Sequence, residues 1–444
     1  MRSSDARSQG VSEGPPGRVS YLPVIVLGLT ATGLGVLRSL ERLGVEVHGV
    51  YSDPGAEIGR HSRMLRTVHR LADLESDREI LDVLEKVRLL AGSPNLMVLI
   101  PASDRYARFM SENRATLETA FLFRVPPPAI ATTFLDKRST AEICRRHGVT
   151  IPRTCVPETL EDVEREAAQV RYPIIIKPAG IHAGFPGKNV KIADSEELLA
   201  FYRSHTDLIP HTVFQELINS GDGHILYVST FSGADGTVLA RCSFRKLRQW
   251  LPDRGVTSYG VSETFRELLD MTTSFLNETG YVGFAGVEFA QEVGTGEIFF
   301  LELNARTVLP NRLTADAGID LTTIGYLEMC GADVPQGLVQ RDGIYWIDLQ
   351  HDIPSAFVRR SRGELTLREW VRDVRRATSY SSWDRRDPKP FLASMARLGT
   401  TGLGLTSGKQ IHSIRSLPRL RRGRWLGLVY RLAPRDRASD QESF

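Results

Sequence analysis

The chain has 444 residues, more than one compact core accommodates, and 41% of them are hydrophobic, ample for folding. With 56 Lys+Arg against 53 Asp+Glu the net charge is only +3, so no strong basic field argues for nucleic acid, and the arginine excess reads as a genomic bias. No stretch of eighteen apolar residues and no signal-like start appears, so a cytoplasmic protein is expected. The scattered Cys144, Cys155, Cys242 and Cys330 indicate reduced thiols rather than zinc or disulfides.

Residues 1–20 are polar and rich in Gly, Ser and Arg, and are expected to be disordered. Tyr21 to Leu27 reads as a buried strand of the parallel type, running through a Gly28–Gly35 turn into a helix, with Val45–Val50 as a second strand ending near Asp53. The glycine spacing is not G-x-G-x-x-G. A helix over Ser76–Leu90 and strands over Leu96–Ile100 and Phe121–Val125 continue the alternation of an open parallel sheet. Ligands bind beyond the carboxyl ends of such strands, which makes Thr30, Thr32, Ser103 and Asp104 substrate candidates; helix capping explains them equally.

Asp136-Lys137 opens a helix that runs to His147. The Ile-rich strand Tyr172–Pro178 ends in Lys177, an awkward core residue that either snorkels or meets an anion. Ala179–Lys188 is a Gly-rich loop whose backbone N–H groups can approach phosphate, and His182 within it reads as an ordinary solvated histidine. Only eight lysines occur, and five of them are Lys137, Lys177, Lys188, Lys191 and Lys246. A hairpin follows, His224–Phe231 and Thr237–Phe244 turned at Gly233–Gly236, which delivers Lys246 and Arg248 on one face toward a γ-phosphate or a carboxylate substrate.

Gly286-Val-Glu288-Phe289, a Gly-rich turn, then Phe299-Phe-Leu-Glu302-Leu-Asn304-Ala-Arg306 form the most telling pair of segments. Residues two apart on a strand share a face, so the hairpin gathers Glu288, Glu302 and Asn304, oxygen ligands suited to Mg²⁺. Arg306 follows on the same side as a cation for phosphate oxygens. A solvated surface hairpin is the bland alternative, disfavoured by the apolar flanks and by the cost of burying acids without a cation.

These motifs, in this order, resemble the ATP-grasp superfamily of carboxylate–amine ligases and carboxylases over roughly residues 20 to 330. The resemblance implies an α/β chain: a Rossmann-like pre-ATP-grasp domain at 21–130, an ATP-grasp fold of two α+β subdomains at 131–340, and a C-terminal appendage at 341–444. It implies Lys137 and Lys177 on the ATP phosphates, Ala179–Lys188 as the covering flap with Lys188, and Gln215, Glu216, Leu217 and Ile218 at adenine. It also implies Asp222 near the ribose, though its spacing departs from several members, and two Mg²⁺ ions, replaceable by Mn²⁺, on Glu288, Glu302 and Asn304. The expected reaction is ATP-dependent ligation of a small carboxylate or amino acid to an amine through an acyl phosphate, with Lys246, Arg248 and Arg306 catalytic.

Carboxylases and carbamoyl-phosphate-forming enzymes of the same superfamily are the alternative, although no biotinylated or glutaminase domain is evident. A non-catalytic nucleotide-binding protein and a nicotinamide oxidoreductase are the readings from other classes. Beyond Gly343, Ile344–Leu349 reads as a strand and Leu365–Arg376 as a basic helix, and Ser382–Pro390 resembles the tail of a bacterial branch of the superfamily. Residues 411–437 hold eight arginines against one acid, interleaved with Trp425, Leu426, Leu428, Val429, Tyr430 and Leu432. A solvated or oligomer-packing tail, consistent with a homodimer, is preferred to contact with an anionic membrane.

Overall fold

A computed structural model describes residues 21–400 except 93–95, 181–184, 186–188, 251, 253 and 254. The expectations for residues 1–20, His182, Lys188, most of the flap and the 411–437 tail therefore lie outside the described residues.

The front of the chain builds a five-stranded parallel sheet in the order β3-β2-β1-β4-β5, from β1 (Val24–Leu27), β2 (Val47–Tyr51), β3 (Leu65–Arg70), β4 (Met97–Pro101) and β5 (Phe121–Leu122). The run Val-Ile-Val-Leu of β1 is buried on both faces, as a central parallel strand must be. One face packs on the helix Ala31–Glu41, and the other on the helices Asp77–Leu90 and Asp104–Glu112. Strand β3 was not anticipated, because Leu65–Arg70 alternates between half-buried and exposed at the sheet edge.

The glycines after β1 serve packing. Gly28 has φ +94° and lies against the Tyr106 ring, and a Cβ on Gly33 would come within 2.0 Å of the Gly28 carbonyl oxygen. The Leu29 N–H there donates to the buried carboxylate of Glu57 at 2.7 Å, which also accepts from the Ser52 and Asp53 N–H groups.

A small antiparallel sheet follows in the order β6-β9-β7-β8: β6 (Thr154–Cys155), β7 (Ile174–Pro178), β8 (Val190–Ile192) and β9 (Thr212–Glu216). The third sheet has seven strands in the order β14-β13-β10-β11-β12-β15-β16. Its members are β10 (Ile225–Ser232), β11 (Val238–Trp250), β12 (Val256–Ser262), β13 (Gly283–Gln291), β14 (Ile298–Asn304), β15 (Tyr345–Ile347) and β16 (Ser379–Tyr380). Pairing is antiparallel except between β15 and β16.

The helix Arg266–Glu278 covers one face of this sheet through Leu268, Phe275 and Leu276, packed on Leu226, Val228, Val287 and Phe289. On the opposite face Phe231 and Phe284 join the core of the front sheet. The two sheets thus share apolar packing, each buried large side chain contributing about 1.5–3 kcal/mol.

The expected boundary at residue 340 falls inside one architecture, since β15 pairs with β12 and residues 379–387 return to the front domain. Arg38, 2% exposed, donates to the carbonyls of Ser381 at 3.0 Å and Ser382 at 2.7 Å. Asp387 accepts from Ser62 Oγ at 2.7 Å and from the Arg63 N–H at 3.0 Å. No described helix is long and apolar enough to cross a membrane.

Candidate active site

Strand register brings the expected metal ligands together. Glu288 of β13 lies directly opposite Glu302 of β14, and Gly286 opposite Asn304. Glu302 is exposed, whereas the Glu288 side chain is 14% exposed. Glu288 has a buried cation at hand: Lys246 Nζ lies 2.6 Å from its Oε2.

Lys246 belongs to β11, two strands away, and reaches across β10 with its Nζ 5.5 Å from the centre of the Tyr227 ring. Tyr227 is the register partner of Glu288. Burial first, and then the charge of Glu288, hold its phenol far on the protonated side, so it stays neutral.

Asn304 Nδ2 donates to Tyr227 Oη at 3.2 Å and to Glu302 Oε1 at 3.3 Å, while its Oδ1 accepts from Arg306 Nη2 at 3.2 Å. Gly286 makes this packing possible, because a Cβ there would sit 2.4 Å from Tyr227 Oη and 2.4 Å from Val308 Cγ1. Arg306 lies just past β14 and turns to the front domain, where Asp104 takes it at 2.9 and 3.1 Å.

The expected phosphate lysines sit at one end of the small sheet. Lys177 Nζ donates to Gln215 Oε1 at 2.8 Å, and Gln215 Nε2 donates to Thr154 Oγ1 at 2.7 Å, a chain crossing β7, β9 and β6. Lys137 starts the helix Lys137–Arg146, capped by Asp136, and its backbone N–H donates to the Ala179 carbonyl just beyond β7. The helix start is thereby stitched to the strand end that carries Lys177.

The expected adenine segment is placed in part as a joint between the sheets. Glu216 closes β9, and its carboxylate accepts from the Arg171 N–H at 2.8 Å; the Leu217 N–H donates to the Pro173 carbonyl. Ile218, 6% exposed, packs with Ile225, Ala290 and Phe299. Arg171 also reaches Glu292 at 2.8 Å, tying this joint to the β13–β14 turn.

Two expected residues are paired with the C-terminal helices. Asp222 pairs with Arg359 of the C-terminal helix Leu349–Ser361 at 2.5 Å and accepts from Gln249 Nε2 at 3.4 Å, so its carboxylate ties that helix to the sheet. Arg248 follows a bulge in β11 and is 6% exposed. Its guanidinium is bidentate to Asp352 at 2.9 and 3.1 Å and contacts Asp373 at 2.6 Å. Burial works to lower its pKa, but Asp352 and Asp373 outweigh it and hold the group charged. Both ion pairs depend on C-terminal helices more than a hundred residues away, which no local pattern announces. Sequence reasoning also missed Tyr227 and Gly286, which only strand register brings under Asn304.

The two facing carboxylates, an adjacent amide and a backing pair of cations form a donor set that fits a hard divalent ion carrying nucleotide phosphates. Glu288, Glu302 and Asn304 would hold it, and when bound the metal supplies charge neutralisation at the phosphates.

No family model matches the chain. It is 25% identical over 300 residues to biotin carboxylase 1 of Bacillus subtilis, covering 63% of each protein. It is 27% identical over 228 residues to acetyl-CoA carboxylase 1 of rice, covering 45% of this chain and 10% of that protein. The chain thus spans less than two thirds of these relatives' lengths.

Among solved structures it is similar to a biotin carboxylase–β,γ-ATP complex from Campylobacter jejuni, with TM-score 0.58, 14% identity and 74% and 75% of the two chains covered. It is also similar to the biotin carboxylase domain dimer of the Hydrogenobacter thermophilus 2-oxoglutarate carboxylase, with MgADP, ADP and bicarbonate (0.56, 17%, 73% and 73%). N5-carboxyaminoimidazole synthetase from Staphylococcus aureus is a third (0.53, 12%, 72% and 80%). The chain has the ATP-grasp fold, in an arrangement shared with the biotin carboxylases.

Proposed function

We propose that the chain is an ATP-dependent enzyme that activates a carboxyl-type oxygen by phosphorylation and passes the activated carbonyl to a nitrogen nucleophile. Bicarbonate is the first candidate for the activated group, because the proteins it is similar to are carboxylases. The observation that carries the reading is the register of Glu288 against Glu302, with Asn304 beside them and Lys246 and Arg306 behind.

When bound, MgATP supplies the γ-phosphoryl group, which goes to the carboxyl oxygen as ADP leaves; attack by nitrogen on the carbonyl then releases phosphate. Lys177, oriented by Gln215, and Lys137 meet phosphate charge at the end of the small sheet. Arg306 faces charge developing at the mouth of the front domain. The Ile218 region receives the base, and the reaction proceeds by positioning and electrostatics without a side-chain nucleophile.

Ligation of an amino acid is the second reading. Arg306 and Asp104 present opposite charges side by side, the complement of an amino acid's carboxylate and ammonium. The test is ADP and phosphate release from MgATP with bicarbonate, with amino acids and with small carboxylates, using Glu302→Ala as control. Bicarbonate-dependent ADP that vanishes in the control supports the first reading, and amino-acid-dependent ADP the second. Formation of AMP would refute both.

A further inference from the structure

Lys246 is a buried cation held directly against an expected metal ligand. Its side chain is 5% exposed, and its ammonium sits 2.6 Å from Glu288 Oε2 over the face of Tyr227. An ammonium so removed from water needs an anion beside it, and Glu288 provides it.

We infer that Lys246 is the resident counter-cation of the metal site, opposing capture of a free divalent ion by Glu288 until nucleotide phosphates arrive to take the ammonium. The inference rests on the metal-site reading of Glu288 and Glu302 given above.

A divalent ion approaching Glu288 without nucleotide meets a carboxylate already compensated and a positive charge a few ångströms away in a poorly solvated place. Glu302 alone, exposed and on the edge strand, is a weak ligand. Polyphosphate reverses the balance, since its oxygens offer the ammonium a new partner while the metal takes the carboxylates. Metal and nucleotide therefore enter as a unit, and each raises the affinity for the other. Lys246 can make this exchange from its place on β11, because its chain spans β10 and ends at Glu288, on the strand that pairs with that of Glu302.

The experiment is a Mn²⁺ titration of the full chain without nucleotide, following free Mn²⁺ by electron paramagnetic resonance. Lys246→Met is expected to bind Mn²⁺ about tenfold or more tightly than the unaltered chain, because a like charge has been removed. Adding Glu288→Gln to Lys246→Met is expected to abolish the gain. Lys246→Gln, which keeps a polar contact to Glu288, gives the same comparison if circular dichroism shows that the methionine variant does not fold. Equal affinity in the lysine variants and the unaltered chain overturns the inference, as does a gain that survives Glu288→Gln. Turnover is not read, so a chain that hydrolyses MgATP yet shows no gain rejects this inference alone.

Discussion

Arg306 and Asp104 join the metal strand to the front sheet: Nε to Oδ1 is 2.9 Å and Nη2 to Oδ2 is 3.1 Å, a fork-on-fork pair across 202 positions of sequence. The next residue repeats the link, Thr307 Oγ1 donating to the Pro101 carbonyl at 3.2 Å. The mouth of the parallel sheet is thus held against the end of β14. Asp104 is 54% exposed, so the pair adds only about 0–1 kcal/mol to stability. Asp104→Asn is expected to leave the thermal midpoint within a few degrees while lowering kcat/KM for substrate-dependent ADP release about tenfold, or ~1.4 kcal/mol in the barrier. Calorimetry beside steady-state kinetics checks the split.

Gly286→Ala tests the packing under Asn304. The new methyl would need to displace Tyr227 and Val308, both buried. Overpacking of this kind costs about 1–3 kcal/mol, and here it also moves the hydroxyl that anchors Asn304. Urea denaturation is expected to show the loss, and ADP release to fall with it. A variant as stable as the unaltered chain would contradict the close approach.

Asp352 is fully buried and accepts from Arg248, from Ser258 Oγ at 3.0 Å and from Trp370 Nε1 at 2.9 Å. Asp352→Ala leaves the Arg248 charge with Asp373 alone in an apolar setting, and is expected to destabilise by about 3–5 kcal/mol. Equilibrium unfolding in urea reads the change, which should vary little with added salt because the pair is shielded from solvent.

His351 gives a pH dependence. Burial acts to lower its pKa, but the charge and 2.7 Å hydrogen bond of Asp348 outweigh burial and raise it above the ordinary 6.5. A raised folded value means that the pair's stabilisation is complete below about pH 6.5 and fades as pH rises through the folded pKa. His351→Gln should therefore be less stable than the unaltered chain in acid, with the difference shrinking above that range. Unfolding midpoints at stepped pH check the sign.

Much of this organisation was legible in the chain. Val-Ile-Val-Leu of β1, the Asp136 cap before Lys137, and the alternation through Glu288, Glu302 and Asn304 are local patterns whose periodicity reports their structure. The expected helix over Leu365–Arg376 appears as Leu367–Arg376, capped by Thr366 with Glu369. Legibility failed where partners are distant. Asp222 looked like an open carboxylate until Arg359 met it, and Arg248 like a substrate cation until Asp352 and Asp373 enclosed it.

The sequence by itself determined the central strands such as β1, the capped helix at Lys137, and that two acids, an asparagine and an arginine share one hairpin, because those facts depend on neighbours a few residues apart. Only the tertiary structure decided which charges are spoken for. Lys246 reaches Glu288 because β10 lies between their strands, Arg306 reaches Asp104 because the two sheets share a core, and residues past 340 complete the large sheet and return to the front domain. Ion pairs form between groups that folding brings close, and their separation along the chain carries no trace of that distance.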